Sequence, residues 1–283
     1  MSVTASAVKE LRQRTGAGMM DCKKALVESG GDLEEAIKIL RTKGLAAAAK
    51  KAHRAATEGL VVIRGDARKA AMIELNCETD FVSRNSDFQE FAGALADQAL
   101  ADCPADAAEL KGRPFAGDPS HTVEETISQR IATIGENIVL SRVVCLQAAE
   151  GCKLATYTHM GGSLGVIVEG TESIPDEALH DVAMHIAATD PRFLSRDEVT
   201  DEILAAEKEI ALKQAIESGK PEHIAEKMVQ GKMKKYFEQV VLMEQPFAKD
   251  SSKTVGAHLA EVGGEGARVT RFVRFKLGEG AGE

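Results

Sequence analysis

The chain has 283 residues, which at about 100–200 residues per domain indicates two or three compact units. Apolar residues make up 44% of it and exclude wholesale disorder. A formal net charge of −9, with 4% aromatic residues and no Trp, argues against a wide nucleic-acid interface, so no direct nucleic-acid partner is expected. The N-terminus carries charges where a signal peptide is apolar, and no apolar run approaches the ~20 residues of a membrane span. We therefore expect a cytoplasmic chain without a membrane partner.

Charge is distributed unevenly along the chain. Residues 1–56 hold 11 Lys and Arg against 6 Asp and Glu, whereas the remainder is acidic. One interpretation is a separate basic N-terminal module that meets an acidic partner. The other is that these basic side chains solvate helix faces, and the charge pattern alone leaves both open.

The N-terminal part, residues 4–45, is predicted to form three short helices. The first ends at Gly16-Ala17-Gly18, and the second begins at Met19-Met20. Asp32 followed by Glu35 is typical of a capping box at the start of the third helix. Residues 45–56, rich in Ala and Lys, are expected to form a helical tail or linker.

Two β/α sections with a similar pattern follow, which predicts two related subdomains. Each begins with a hairpin of apolar strands, turning at Gly65-Asp66 in the first section and at Gly161-Gly162 in the second. The predicted elements of the first section are strands Gly59–Arg64 and Ala70–Asn76, a helix from Ser86, a loop over Cys103–Ser120, a helix near Val123–Gly135 and strand Asn137–Leu146. Those of the second are strands Ala155–Met160 and Leu164–Val168, helix Asp176–Ala188 and the closing strand Arg268–Leu277.

A charged helical insert interrupts the second section. The periodic stretches Asp201–Ser218 and Glu222–Phe237 are joined by Ser218-Gly219-Lys220-Pro221, and so short a connection predicts antiparallel neighbours. The apolar side chains expected to face each other are Ile203, Ala206, Ile210 and Ile216 on one helix and Ile224, Met228 and Met233 on the other.

Cysteine and histidine spacing gives no indication of a metal site or a disulfide. The five cysteines are scattered without C-x-x-C spacing, so reduced thiols are expected. His180 and His185 lie five residues apart, off a common helical face, so no metal ligands are predicted.

No motif for catalysis is present in the sequence. Phosphate-loop, dinucleotide-binding and nucleophile-elbow patterns are absent, and Gly161–Gly165 lies between two strands and indicates a hairpin turn. We therefore expect no catalytic residue and no cofactor. A deep pocket with converging polar groups would reopen the alternative of an enzyme.

Two places put large apolar side chains next to turns. Met19-Met20 follow a glycine turn and suit an adaptable contact surface, unless one of them fills the helical core. Thr79-Asp80-Phe81-Val82 follows a strand end, where a partner could cover Phe81, unless Phe81 packs into its own core and Asp80 caps a helix.

Several segments of the chain resemble the elongation factor Ts family. The most specific are Val8–Leu26, with Arg14-Thr15-Gly16-Ala17-Gly18-Met19-Met20, and Glu74–Val82. Further matches are Ile134–Ile138, Met184–Ala188, Ser218–Pro221, Lys227–Lys235, Gln245–Phe247 and Arg271–Phe275. Together they run in the family's order along nearly the whole chain.

The resemblance implies an α+β fold with a ubiquitin-associated-like N-terminal three-helix bundle, a core of two related β/α subdomains and an inserted antiparallel coiled-coil hairpin. The expected domains are residues 1–55 for the bundle, 56–141 for the first core subdomain, 142–190 with 238–283 for the second, and 191–237 for the hairpin.

The resemblance also implies a function. The chain would be a guanine-nucleotide exchange factor and not an enzyme. It would bind elongation factor Tu in its GDP-bound and nucleotide-free states, and the resemblance is compatible with a homodimer of the complex. The implied contacts are Met19, Met20, Thr79, Asp80, Phe81, Val82 and His159, and Thr79–Val82 correspond to the segment that dislodges Mg²⁺.

The chain differs from some family members in its C-terminal part. It ends shortly after the closing strand, where those members continue with a helical module, so weaker partner contacts are expected there. The loop over Cys103–Ser120 also looks longer than the family pattern. The leading alternative is an adaptor that binds through Met19-Met20 without affecting nucleotide release.

Overall fold

A computed structural model describes residues 3–217 and 222–279 of the chain. The helices are α1 (Ala5–Thr15), α2 (Met19–Glu28), α3 (Leu33–Lys51), α4 (Asp80–Ser83), α5 (Ser86–Asp102), α6 (Ala107–Gly112), α7 (Val123–Ile134), α8 (Asp176–Thr189), α9 (Asp201–Glu217), α10 (Glu222–Val240) and α11 (Val255–Gly263). The strands are β1 (Glu58–Gly65), β2 (Lys69–Cys77), β3 (Pro114–Phe115), β4 (Asp118–Thr122), β5 (Ile138–Gln147), β6 (Cys152–His159), β7 (Leu164–Thr171), β8 (Pro246–Phe247), β9 (Asp250–Thr254) and β10 (Val269–Lys276). The α+β class expected from the sequence is confirmed.

The three N-terminal helices enclose a small apolar core. Its fully buried members are Leu11, Cys22, Ala25, Leu26 and Ala36. The carboxylate of Asp32 accepts a hydrogen bond from the Glu35 backbone N–H at 2.9 Å, so the expected helix start is confirmed.

Helix α3 is longer than the sequence pattern predicted, because most of the expected tail continues it to Lys51. The extension lies against α7. A Cβ built on Gly44 would stand 3.8–3.9 Å from Ser128 and Ala132 of α7, and the Lys51 ammonium donates to the Ile131 carbonyl at 3.1 Å. The extension therefore fastens the N-terminal helices to the first β/α section.

The first sheet is antiparallel with strand order β1-β2-β5. Both predicted hairpin strands and the strand after α7 are confirmed. Strand β2 is buried along almost its whole length, and α5 and α7 cover one face of the sheet with Phe88, Phe91, Leu95 and Ile127. The boundary expected at residue 141 falls inside β5, which pairs with β2 from Ile138 to Gln147.

The segment expected to be a loop, Cys103–Ser120, instead contains α6 and the β3–β4 hairpin, so that expectation was wrong. Its elements are too short to produce a periodic sequence pattern. They are held by single side chains, since Asp106 accepts from the Glu109 N–H at 2.8 Å and Gln98 bonds both Pro114 O and Ala116 N.

The expectation of five reduced cysteines was also wrong. Cys103 and Cys145 form a disulfide with a Cα–Cα distance of 5.1 Å. The partners are 42 residues apart in sequence, and only the packing of the α5 end beside β5 brings them together, so spacing could not reveal the pair. In the chain-entropy model, closing a loop of this length contributes about 4 kcal/mol.

A thiol titration tests this disulfide. Cys22, Cys77 and Cys152 are free and buried. We expect three reactive thiols in the unfolded, unreduced chain and five after reduction, because the cross-linked pair does not react until its bond is broken. The variant Cys145→Ser frees Cys103 and should raise the unreduced count by one. Five reactive thiols before reduction would contradict the pairing.

The second sheet repeats the plan of the first, with antiparallel order β6-β7-β10. The predicted hairpin, the helix over Asp176–Ala188 and the closing strand are confirmed, and Val269 and Phe275 of that strand are buried. Strands β8 and β9 and helix α11 were not predicted from the sequence. Their sequence, from Pro246 to Val255, parallels that from Pro114 to Val123, where the same short hairpin leads into α7.

The side chain that holds the short hairpin differs between the two halves. In the first, the Gln98 amide oxygen accepts from the Ala116 N–H at 2.9 Å; in the second, His185 Nδ1 accepts from the Ala248 N–H at 3.1 Å. His185 Nε2 then carries the hydrogen that it donates to Gln245 Oε1 at 2.9 Å. Burial lowers the pKa of His185, because a charged ring loses its hydration there.

The variant His185→Gln should therefore remove an acid-sensitive contribution to stability. With a folded-state pKa below the unfolded value of about 6.5, the parent chain loses stability as pH falls below that value, by up to about 1.4 kcal/mol per pH unit. Glutamine can accept the same hydrogen bond, as Gln98 does, but does not titrate. Urea unfolding between pH 5 and 8 should show a flatter profile for His185→Gln, while the exposed-site control His180→Gln keeps the parent profile. A His185→Gln profile as steep as the parent's would contradict the assignment.

The inserted helices α9 and α10 pack against each other, with the connection Ser218–Pro221 lying outside the described residues. The expected apolar faces were partly wrong. Met233 is buried, but Ile210 and Ile216 are 50% and 62% exposed, while Ala211 and Ala215 are buried in their place. The buried side of α9 is therefore formed by small alanines and not by the larger isoleucines.

In the part of the chain that the structure covers, helices of sufficient length are too polar to cross a bilayer.

Candidate functional site

Strand β2 ends at a corner that presents Phe81 to solvent. After Cys77 the chain leaves the sheet, and Thr79 in extended conformation precedes the single turn α4. Phe81 is 84% exposed, whereas Val82 packs partly on the core of the first section. The alternative of a core Phe81 was wrong, because α4 is one turn long and only one of its apolar side chains can reach the sheet.

The carboxylate of Glu136 anchors this corner. Its Oε2 accepts from the backbone N–H groups of Glu78 at 3.1 Å and Thr79 at 3.0 Å, and its Oε1 accepts from the Thr79 hydroxyl at 2.6 Å. Glu136 follows Gly135, whose φ of +90° ends α7 in the left-handed region that favours glycine. Sequence reasoning missed Glu136 as a site residue, since its role depends on a contact between distant segments.

A second set of contacts ties the corner to the segment after α3. Glu78 Oε1 accepts from the Asn137 N–H at 2.6 Å and faces the Arg54 guanidinium at 3.4 Å. The Asn137 amide in turn donates to the Arg54 carbonyl at 2.8 Å. The corner is therefore fixed on both sides while the Phe81 ring stays uncovered.

The thiol of Cys77 closes the base of the corner. Burial raises its pKa to about 12, and the nearby Glu136 carboxylate adds to the rise. The protonated Sγ donates to the Thr79 carbonyl at 3.2 Å. Cys77 thus serves as a hydrogen-bond donor and not as a nucleophile.

Asp80 points to solvent beside Phe81. Its carboxylate pairs with the Arg84 guanidinium at 3.0 Å, and the side chains of Asp80 and Arg84 are 45% and 80% exposed. It does not accept a capping hydrogen bond at the start of α4, where Thr79 holds the N-cap position. An exposed pair of this kind contributes little to stability and is available to a partner.

Met19 and Met20 form a second exposed apolar surface. They are the first two residues of α2 and are 60% and 61% exposed. The alternative that one of them fills the helical core was wrong, because Cys22, Ala25 and Leu26 occupy the inner face of α2.

The turn between β6 and β7 carries a third exposed surface. His159 is exposed, and its Nδ1 lies 2.8 Å from the Tyr157 hydroxyl. Met160, which sequence reasoning did not single out, is 80% exposed with φ of +40°. Gly162, at φ of +100°, sits so close to Leu60 and Val61 of β1 that a Cβ would stand 3.1 Å from both. The turn is therefore seated on the first sheet.

A cavity of about 800 Å³ between the N-terminal helices and α7 tests the enzyme alternative. Asp118, Ser120 and His121 line it, but the Ser120 hydroxyl and the Asp118 carboxylate both contact the same ring nitrogen, His121 Nδ1, at 3.0 and 2.8 Å. A catalytic triad needs serine and carboxylate on opposite ring nitrogens. Asp250 and Ser252 repeat this Asp–Ser turn in the second half, which indicates a structural turn motif.

Among the described residues, His, Cys, Asp and Glu side chains form no group suited to hold a metal ion. The structure brings Thr79, Asp80, Phe81 and Val82 together in one corner and places Met19-Met20 and His159 on two other elements. Exposed apolar side chains on rigid supports are typical of surfaces that bind another protein. These exposed residues therefore outline candidate protein-contact surfaces on an α+β chain.

Comparison with known proteins gives the family. The sequence profile described as Elongation factor TS matches residues 78–279. Proteins named elongation factor Ts from Syntrophotalea carbinolica, Thioalkalivibrio sulfidiphilus and Trichlorobacter lovleyi are 51%, 49% and 45% identical to this chain, each over 99% of it and 94% of their own length. The chain belongs to the elongation factor Ts family, as the sequence resemblance indicated, and so to the elongation factors of protein synthesis.

Proposed function

We propose that this chain is the guanine-nucleotide exchange factor for elongation factor Tu. It binds elongation factor Tu–GDP, perturbs the Mg²⁺ and phosphate site and promotes GDP release during translation elongation. Family membership supports the partner, and the observation that carries the mechanism is Phe81, 84% exposed on a corner held by Glu136.

The proposed mechanism is displacement of the partner's metal and phosphate contacts. GDP on such a GTPase is held by phosphate-loop donors and by Mg²⁺, so moving the metal removes positive charge from the phosphates. Nucleotide and exchange factor then weaken each other's binding reciprocally, and a nucleotide-free complex follows. No covalent bond changes, so the chain acts as a binding protein and not as an enzyme.

The contact surface extends beyond Phe81. A 10⁴-fold faster release requires about 5.5 kcal/mol off the barrier, and burial of one Phe side chain supplies about 1.5–3 kcal/mol. We assign Met19, Met20, Thr79, Asp80, Phe81, Val82 and His159 as partner contacts. Met160 is added because it is the exposed apolar neighbour of His159.

The proposed domain organisation follows the family. The bundle spans residues 1–55, the first subdomain 56–141, the second 142–190 with 238–283, and the coiled-coil hairpin 191–237. We propose to move the boundary between the two subdomains from residue 141 to residue 147, since β5 pairs with the first sheet throughout. Cytoplasmic location and a homodimer of the complex belong to the same proposal.

The test is release of a fluorescent GDP analogue from elongation factor Tu, followed by stopped flow at increasing concentrations of this protein. Acceleration that saturates supports exchange activity. Complex formation without acceleration would overturn it in favour of an adaptor that binds through Met19-Met20. Absence of both would overturn the partner as well.

A further inference from the structure

Each sheet contains a buried glutamate paired with a partly exposed arginine, and both pairs hydrogen-bond to the backbone of the opposite half. The first begins with Glu74 on β2, which is fully buried and accepts from Arg142 Nε on β5 at 2.6 Å. The remaining bonds of this pair cross to the other half. Arg142 Nη2 donates to the Lys276 carbonyl at 2.8 Å, and the Gly278 N–H donates to Glu74 Oε1 at 2.8 Å.

The second pair is built in the same way from the other sheet. Glu169 on β7, 3% exposed, accepts from Arg271 Nη2 on β10 at 2.7 Å. Arg271 Nη2 also donates to the Gln147 carbonyl at 2.5 Å, and the Ala149 N–H donates to Glu169 Oε2 at 3.1 Å.

The two pairs are equivalent position by position. In each sheet the glutamate lies on the middle strand directly opposite the arginine on the third strand. The carbonyl that each arginine reaches belongs to the fifth residue after the arginine of the other half. The backbone N–H that donates a hydrogen bond to each glutamate belongs to the seventh residue after the arginine of the other half.

This reciprocal exchange is the geometry of a self-complementary two-fold interface, here within one chain. Between the pairs, Val61, Met72, Leu146, Leu154, Ile167 and Phe275 form an apolar layer where β1 and β2 meet β6 and β7. The Arg142 guanidinium also lies over the Phe275 ring at 4.2 Å. A shift of one sheet over the other would break, at once, the hydrogen bonds that both arginines and both glutamates make to the backbone of the opposite half.

Both pairs lie close in the chain to the exposed contact residues. Strand β2 continues from Glu74 into the corner of Phe81. Strand β7, which bears Glu169, begins directly after the turn of His159 and Met160. At the end of that turn, the Ser163 carbonyl accepts a hydrogen bond from the Leu277 N–H at 2.9 Å.

We infer that the Glu74–Arg142 and Glu169–Arg271 pairs are positioning residues that hold the Phe81 corner and the His159–Met160 turn at one fixed separation. The inference rests on the proposed function for its consequence in exchange. With the separation fixed, binding at one contact places the other at high effective concentration against the same partner.

The first test measures the separation itself and needs no partner. Nitroxide labels at Phe81→Cys and Met160→Cys sit at two highly exposed positions, while the native free thiols are buried. Pulsed electron paramagnetic resonance should give a narrow distance distribution in the parent chain. In a Glu74→Gln and Glu169→Gln double variant the distribution should broaden about twofold or shift. The exposed inter-sheet pair Arg68–Glu172 provides the matched control, and Glu172→Gln should leave the distribution narrow.

An unchanged distribution in the double variant, or equal broadening by Glu172→Gln, would overturn the inference. Each single Glu→Gln variant is measured too, so that failure of the double variant to fold does not end the test. Far-UV circular dichroism at the labelling temperature identifies the folded samples.

The second test measures exchange on unlabelled chains. The double variant should raise the concentration for half-maximal GDP release about tenfold and change the saturated rate less. Half-maximal concentrations equal to the parent's would overturn the positioning role. If the parent chain itself does not accelerate GDP release, the proposed function fails, and the label distances still decide whether the pairs fix the separation.

Discussion

Replacing Phe81 by alanine is expected to slow stimulated GDP release from elongation factor Tu about 10- to 100-fold. Covering a Phe side chain is worth about 1.5–3 kcal/mol, and each 1.4 kcal/mol is a factor of ten in rate. The fold should not change, since the ring is 84% exposed and gives up almost no packing. Stopped-flow release at saturating exchange factor measures the effect, and thermal unfolding should give the parent midpoint within about 2 °C.

A matched control is Ile210→Ala, which also truncates an exposed apolar side chain but lies on α9, away from the corner. Its release rate should equal that of the parent. GDP release from elongation factor Tu at the parent rate in the presence of Phe81→Ala would exclude a role of this ring in exchange, whatever the result for Ile210→Ala.

The variant Glu136→Ala is expected to reduce exchange about as strongly as Phe81→Ala although Glu136 lies behind the contact surface. It removes the acceptor for the Glu78 and Thr79 N–H groups and the Thr79 hydroxyl, so the turn of α4 loses its support. Hydrogen bonds to a charged group contribute about 1.5–3 kcal/mol, so unfolding should also occur at lower urea. Glu136→Gln keeps one acceptor oxygen and should give an intermediate rate.

A double variant separates support of the corner from a general loss of stability. If Glu136 acts through the placement of Phe81, Phe81→Ala with Glu136→Ala should exchange no more slowly than the slower single variant. Multiplication of the two rate losses, measured where both proteins are folded, would mean that Glu136 acts elsewhere. A normal exchange rate in Glu136→Ala despite lowered stability would limit it to a structural role.

The long elements could be predicted because their patterns are local. Alternating apolar residues indicated both hairpins, and Asp32 indicated the start of α3. The segments Pro114–Thr122 and Pro246–Thr254 each pair a two-residue strand with a five-residue polar strand, which gives no apolar periodicity. The two hairpins are recognised as equivalent only in the structure, where Gln98 and His185 accept hydrogen bonds from the corresponding backbone N–H groups of Ala116 and Ala248.

The residues of the candidate site also fall into those that local sequence predicts and those that it does not. Phe81, Met19 and Met20 could be singled out because large apolar residues beside turns are visible in the sequence, although their exposure could not be decided there. Glu136 and Arg54 could not be found, since each acts on a segment dozens of residues away. The Cys103–Cys145 disulfide was missed for the same reason, and α9 was misjudged because alanines, not isoleucines, form its contact with α10.

The difference between Gln98 and His185 determines which of the two short hairpins opens first as pH falls. The amide that holds the first short hairpin does not titrate, whereas the ring that holds the second becomes charged as pH falls below its lowered pKa. Amide hydrogens of Ala248 and its neighbours should then exchange with solvent sooner than those around Ala116. Acidification would thus loosen the half that carries the helical insert before the half that displays Phe81.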